Sequence, residues 1–197
     1  LTYAAWKMSG YPRERVIGSG TVLDTGRLKQ LLGEELRVDS RNIHAFIIGE
    51  HGDSELAVWS EANVSGLALE DFCRIRGQAL SRPDMDRLYR QVRDSAYEII
   101  KRKGVTCYGI AMGVGRIAAS IIRDEHAVLP ISVVLDGQYG LDGLALSIPS
   151  VVGRGGLEEI LEIPLNGEEE KSLRDSAQQM REVISTLKLD REPVCSK

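Results

Sequence analysis

Between Asn42 and Ser54 the chain passes from an apolar run ending in Ile47-Ile48 into Gly49-Glu50-His51-Gly52-Asp53-Ser54. An apolar run of this length, cut off by a polar, glycine-containing cluster, reads as a buried strand over Asn42 to Ile48 that stops abruptly. Its exit presents a histidine flanked by glycines and carboxylates. Core packing holds such a residue by its backbone and leaves the ring open to a cleft. With an ordinary pKa of about 6.5, imidazole is the side chain best suited to move protons near neutral pH. A histidine at a strand end is also commonly a capped or solvated residue. The weight of His51 therefore depends on what else converges on it.

Around this strand the pattern alternates between helix and strand. Residues 1–9 read as the end of a helix, stopped by Ser9-Gly10 and Tyr11-Pro12, and Arg15 to Gly18 as a short strand entering Gly18-Ser19-Gly20-Thr21. From Val22 to Leu36 the spacing of Leu28, Leu31 and Leu32 predicts a helix. Its Gly26, a poor helix former, hints at close backbone packing. Glu55 to Leu69 reads as short strands and turns. A long helix follows, with Ser81 as N-cap, Pro83 in its first turn and a stop near Gly104. Another covers Tyr108 to Arg123, rich in small residues that allow close helix packing. Strands are expected at Ala127–Leu135, Leu144–Val152 and Leu157–Ile163, and a last helix after Asn166. The tail from Asp190 is polar and reads as frayed. The layout is α+β, antiparallel strands with long helices laid over them.

Composition excludes several classes. At 43% hydrophobic and 27% charged over 197 residues the chain can bury a real core. A net charge of −4, without a Lys/Arg run, argues against nucleic-acid binding. The longest apolar stretch, Ala127 to Leu135, is interrupted by Pro130 and Ser132 and is too short to span a membrane. Cys73, Cys107 and Cys195 have no paired metal-ligand spacing and cannot all form internal disulfides, which fits a reducing cytoplasm. No secretory signal is visible. Leu1 to Met8 carries neither an initiator Met nor a helix-start signal and reads as the middle of something longer.

Two further features are ambiguous on residue type alone. Gly18-Ser19-Gly20-Thr21 after a strand can cradle phosphate, yet no Gly-x-Gly-x-x-Gly fingerprint is completed, so a tight turn with a close small-residue approach is the preferred reading. Asp24 and Arg27, three residues apart in the first turns of a helix, share a face and form at least a surface ion pair.

Taken in order, these blocks resemble a known family. Leu1-Thr2-Tyr3…Trp6-Lys7…Ser9-Gly10, Val16-Ile17-Gly18-Ser19-Gly20-Thr21…Leu23-Asp24…Arg27, and Ile48-Gly49-Glu50-His51-Gly52-Asp53-Ser54 resemble the NAD-dependent L-lactate dehydrogenases, bacterial ones in particular. Tyr97-Glu98-Ile99-Ile100-Lys101…Gly104-Val105-Thr106 continues the likeness, which covers essentially the whole chain. The resemblance implies a cytoplasmic, tetrameric enzyme interconverting (S)-lactate and pyruvate. His51 is then the proton acceptor and donor, Asp24 its orienting partner and Arg27 the anchor of the substrate carboxylate. Thr106 lines the substrate pocket, and Ser19 and Ile110 lie beside the nicotinamide ring. Lys29 and His44 match an allosteric site for fructose 1,6-bisphosphate, although members usually carry Arg where Lys29 stands, and Lys lacks the planar fork.

The same resemblance implies that residues 1–18 are the last helix and strand of a dinucleotide-binding (Rossmann) domain and that 19–197 form the substrate domain. The glycine-rich phosphate loop, the ribose-binding acid, the mobile loop with its second arginine and a carbonyl-side asparagine would then lie before Leu1, and the chain alone would not turn over. No metal, nucleic acid or membrane partner is expected. Malate dehydrogenase and branched 2-hydroxy-acid dehydrogenase remain alternatives, as does a non-catalytic oligomerisation module; the presence of all of His51, Asp24 and Arg27 disfavours the last.

Overall fold

The computed structural model describes residues 1–187, so Cys195 and the tail expected to fray from Asp190 lie outside the described residues. Helices form at α1 (Thr2–Ser9), α2 (Val22–Leu36), α3 (Leu69–Ile75), α4 (Arg82–Lys103), α5 (Tyr108–Arg123) and α6 (Gly167–Thr186). Strands form at β1 (Ile43–Ile48), β2 (Leu56–Val64), β3 (Leu67–Ala68), β4 (Ala127–Asp136), β5 (Asp142–Gly153) and β6 (Gly156–Ile160). They make two antiparallel three-stranded sheets, in the orders β1-β2-β3 and β4-β5-β6.

The two longest helices start where side chains can satisfy their free amides. Ser81 and Asn166 each form a capping box, with Asp84 and Glu169 respectively. Each sheet has its own core. Leu28, Leu32 and Leu36 of α2 pack on Ile43, Ala45 and Ile47 of β1, with Leu88 and Val92 of α4 behind them. Ile131, Val133, Leu144, Leu146 and Ile148 of the second sheet pack with Leu173 and Ala177 of α6 and with Ile48 and Leu56 from the first. Burying one such leucine or isoleucine contributes about 1.5–3 kcal/mol. Because Ile47 and Ile48 face opposite sides of β1, this strand is held by both cores.

Local expectations are corrected at three places. No strand forms at Arg15 to Gly18. A 3₁₀ turn occupies Arg13–Arg15, and only Gly18 pairs, with Ser132. The reason is the turn that follows. Gly20 has φ 53°, and a Cβ there would lie 2.6 Å from the Ser132 backbone nitrogen, so the segment runs close against β4 and then bends into α2. Glu55 to Leu69 does carry strands and a turn, but most of it is one nine-residue strand, β2. This turns at Ser65-Gly66 into the two-residue β3 and leads into α3, a short helix that the sequence pattern did not disclose. The third late strand stops at Ile160 rather than Ile163.

Within this chain these glycines of α2 and α5 make no close contact. A Cβ on Gly26, Gly113 or Gly115 would meet nothing within 4 Å, so α2 and α5 do not use these positions to approach the other described elements. Gly109 at the start of α5 is different: its added Cβ would contact Leu23 at 3.0 Å.

Candidate active site

The site is built where α2 meets the end of β1. Thr25 Oγ1 accepts the Ile47 amide at 2.9 Å, and Thr21 Oγ1 donates to the Ile47 carbonyl at 2.5 Å. These bonds fix the helix that carries Asp24 against the strand that ends before His51. The turn after the strand is braced as well. Gly49 pairs with Ser147 of the other sheet, the Glu50 amide donates to Ser176 Oγ of α6 at 2.9 Å, and Ser54 Oγ donates to Glu50 Oε2 at 2.7 Å.

His51 thus reaches solvent on a fixed loop, its side chain half exposed. Its Nδ1 lies 2.8 Å from Asp24 Oδ2. Asp24 is only 3% exposed, and no other described donor bonds that oxygen, so the imidazole is its compensating partner. The Asp24 contact raises the His51 pKa, burial opposes the rise, and the Glu55 and Glu50 charges reinforce it. Arg27 Nη1 lies 3.4 Å from Asp24 Oδ1, so one carboxylate organises both the imidazole and the guanidinium. Arg27 is half-buried, and among the described residues most of its donor fork is uncommitted.

A cleft of about 390 Å³ opens in front of His51, with Ser19, Gly18, Glu50, Ser132 and Ser147 among its walls. Asp24 and Arg27 are absent from those walls. Ser19 is exposed in the same cleft. Ile110 does not line this cleft; it is exposed on α5, next to Gly109. Thr106, half-buried between α4 and α5, is three residues from Gly109, whose added Cβ would lie 3.8 Å from Arg27 Nη2. The start of α5 is thereby placed beside the guanidinium. Lys29 is half-buried on α2, where burial lowers its pKa; His44 is exposed on β1; no described hydrogen bond or ion pair joins them.

Sequence reasoning passed over Glu55. Its carboxyl is 5% exposed, and an oxygen of it lies within 4.8 Å of both an Asp24 oxygen and a His51 ring nitrogen. Its one sequence signal is an acidic residue at the mouth of an apolar strand. A second trio at this spacing, Asp124, His126 and Glu158, lies at a distant turn. There Glu158 already holds the ring at 2.6 Å and Asp124 accepts the Arg154 amide at 2.8 Å.

Residues 21–189 match the family model described as lactate/malate dehydrogenase, alpha/beta C-terminal domain. The chain belongs to the lactate/malate dehydrogenase family. Its antiparallel α+β architecture is that of the family's C-terminal domain. It is similar to the L-lactate dehydrogenase of Acetivibrio thermocellus, 48% identical over 187 residues, covering 95% of this chain and 59% of that protein. The L-lactate dehydrogenase of Moorella thermoacetica is 51% identical over 190 residues, covering 96% and 60%. The crystal structure of the minor L-lactate dehydrogenase of Enterococcus mundtii in its ligand-bound form superposes with a TM-score of 0.91 at 38% identity, over 96% of this chain and 60% of that one. The chain therefore spans about 60% of the length of these lactate/malate dehydrogenase relatives. Among its described residues no helix is long and apolar enough to cross a membrane.

Proposed function

We propose that this chain is the substrate half of an NAD-dependent L-lactate dehydrogenase, interconverting (S)-lactate and pyruvate. The observation that carries the reading is the shared use of Asp24, one buried carboxylate facing both a half-exposed imidazole and a largely uncommitted guanidinium. In the direction of reduction, His51 gives a proton to the carbonyl oxygen of pyruvate; in oxidation it takes the hydroxyl proton of lactate. Asp24 holds the ring and favours its cationic form. Arg27 grips the substrate carboxylate through paired N–H donors, which fixes the orientation of the carbon that reacts.

The nicotinamide cofactor, held beside Ser19 and Ile110, would supply a hydride to that carbon as NADH and accept one from it as NAD+. Ser19 suits the polar edge of the nicotinamide because its hydroxyl opens into the same cleft as His51. Ile110 and Thr106 belong to this reading through the position of the α5 start beside Arg27: an apolar contact for the ring and a wall for the substrate's side-chain end. The Gly18–Gly20 turn is not a phosphate cradle, since its glycines serve the approach to β4.

The reading assigns residues 1–18 to the end of a dinucleotide-binding half and 19–197 to the substrate half. It makes residues 1–197 inactive alone, because the sequence completes no dinucleotide fingerprint. It also places the enzyme in the cytoplasm, in keeping with the free thiols of Cys73 and Cys107, and as a homotetramer with Lys29 and His44 offered to fructose 1,6-bisphosphate. The test is kcat/KM of the full-length protein on pyruvate, oxaloacetate and a branched 2-oxo acid with NADH. Pyruvate is expected to lead. A lead for oxaloacetate would make the protein a malate dehydrogenase, and no turnover on any of the three would overturn the dehydrogenase reading.

A further inference from the structure

Glu55 has no part in that mechanism, yet it is among the most deeply buried carboxyls in the chain. It sits immediately before β2, 5% exposed, and among the described residues its Oε1 has no hydrogen-bond partner. An unpartnered buried carboxylate is costly, and a buried carboxylic acid much less so. The groups that face it explain how the cost is avoided. From α2 come Asp24 and Arg27, and from the preceding loop Glu50 and His51. Tyr89 of α4 donates its hydroxyl to the Glu55 backbone carbonyl. On the outer side, Arg82 and Asp86 of α4 and Glu168 and Glu169 of α6 line the adjoining cleft. With a second carboxylate, Asp24, inside 4.8 Å, two neighbouring negative charges are opposed while His51 is neutral and compensated when it is cationic.

We propose that Glu55 is a positioning residue whose proton is coupled to that of the Asp24–His51 pair: loss of the proton from Glu55 favours its retention on His51, and loss from His51 favours its retention on Glu55. The inference deepens the proposed function, since it concerns the proton inventory of the same histidine. Burial, with the Asp24 charge added, pushes the Glu55 carboxyl up to about 8, against a lowering by His51. Glu55 and His51 therefore both hold their protons above their ordinary values, and with their charges in contact the steps belong to the cluster rather than to either residue. The consequence is functional. An ionised Glu55 holds the proton on His51 as pH rises, so the acid form needed to reduce a 2-oxo acid persists into mildly alkaline solution.

The test is an NMR titration of the His51 ring in the full-length protein, wild type against Glu55→Gln, with resonances assigned among the three histidines by a His51→Gln variant. Gln keeps the shape and the neutral state but cannot ionise. The wild type is expected to show two linked steps. In Glu55→Gln a single step should remain, with its midpoint lower by about one pH unit, and the alkaline limb of pyruvate reduction should move down by the same amount. Glu55→Asp, which keeps an ionisable group, should restore part of the shift. An identical His51 titration in wild type and Glu55→Gln overturns the proposal. If Glu55→Gln does not fold, the wild type decides alone. A carboxylic-acid infrared band that persists at neutral pH and disappears with the His51 steps supports the proposal; its absence at neutral pH overturns it. The titration needs neither cofactor nor substrate. A coupled His51 in a protein that reduces no 2-oxo acid removes the dehydrogenase reading alone, and an uncoupled His51 in an active enzyme removes only this inference.

Discussion

Thr25 Oγ1 accepts the Ile47 amide at 2.9 Å, so the residue beside Asp24 is bonded to the strand that delivers His51. Replacing Thr25 by Val keeps the shape and leaves a buried N–H without an acceptor. The loss should be about 1–3 kcal/mol of unfolding free energy, read from urea denaturation. Activity should fall as well, because Asp24 and His51 are no longer held to a common reference.

Asp24→Asn leaves the volume and removes the charge that favours imidazolium. His51 should titrate lower, and kcat for pyruvate reduction should drop by on the order of 10²–10⁴-fold. Steady-state kinetics across pH checks both: the alkaline limb should move toward acid. An unchanged limb would mean that Asp24 does not set the protonation of His51.

Arg27→Lys separates charge from geometry. Lys keeps the positive charge near Asp24 but cannot present two parallel N–H bonds to a carboxylate. The expected result is a loss in kcat/KM on pyruvate of roughly 10–100-fold, appearing mainly in KM. Near-native KM in this variant would deny Arg27 the role of anchor.

Stability should fall between pH 4.5 and about 8 because of Glu55. The folded chain keeps a proton on this carboxyl that the unfolded chain has already released above its ordinary value of 4.5. Folding is therefore favoured at low pH, and that advantage is lost as pH rises to the folded value. The size is a few kcal/mol at most. His51 acts in the same direction: its raised folded pKa lends stability that is fully present below about 6.5 and disappears as pH climbs through the folded value. That share is small, because the ring is half exposed. Denaturation of Glu55→Gln across this range should show a flatter profile than wild type.

Glu169 offers a test remote from the chemistry. Its carboxylate, 7% exposed, accepts the Ser60 amide at 3.0 Å, the Ser60 hydroxyl at 2.5 Å and the Asn166 amide at 3.0 Å. It closes the cap of α6 and ties that helix to β2. Glu169→Ala should cost on the order of 2 kcal/mol, seen as a lower Tm. The His51 titration should hardly change.

Much of this was legible in the chain. Ser81 with Asp84 and Asn166 with Glu169 mark helix starts by local chemistry, and the stops at Gly104 and after Ile48 are single-residue signals. Asp24 and Arg27 could be paired because helical periodicity puts them on one face. The α3 helix was hidden because it is two turns long and buries only Leu69 and Cys73. The segment before Thr21 looked like a strand because apolar residues precede the glycines; its partner on β4 accepts only Gly18. Glu55 was invisible for a different reason. Its environment is assembled from α2, α4 and the loop at once, and no spacing within the sequence encodes that meeting.

The bridges Gly49–Ser147 and Gly18–Ser132 carry a consequence for the order of assembly. Each sheet is built of antiparallel neighbours in chain order, contacts that close short loops. The two bridges join segments far apart in the chain, and their loop-closure entropy is repaid only once both sheets exist. A chain caught with both sheets formed but undocked would have nearly all its secondary structure and no directed histidine. The loop bearing His51 is thus among the last places to become native, and the final placement of its ring reports completion of folding more faithfully than helix or strand content does.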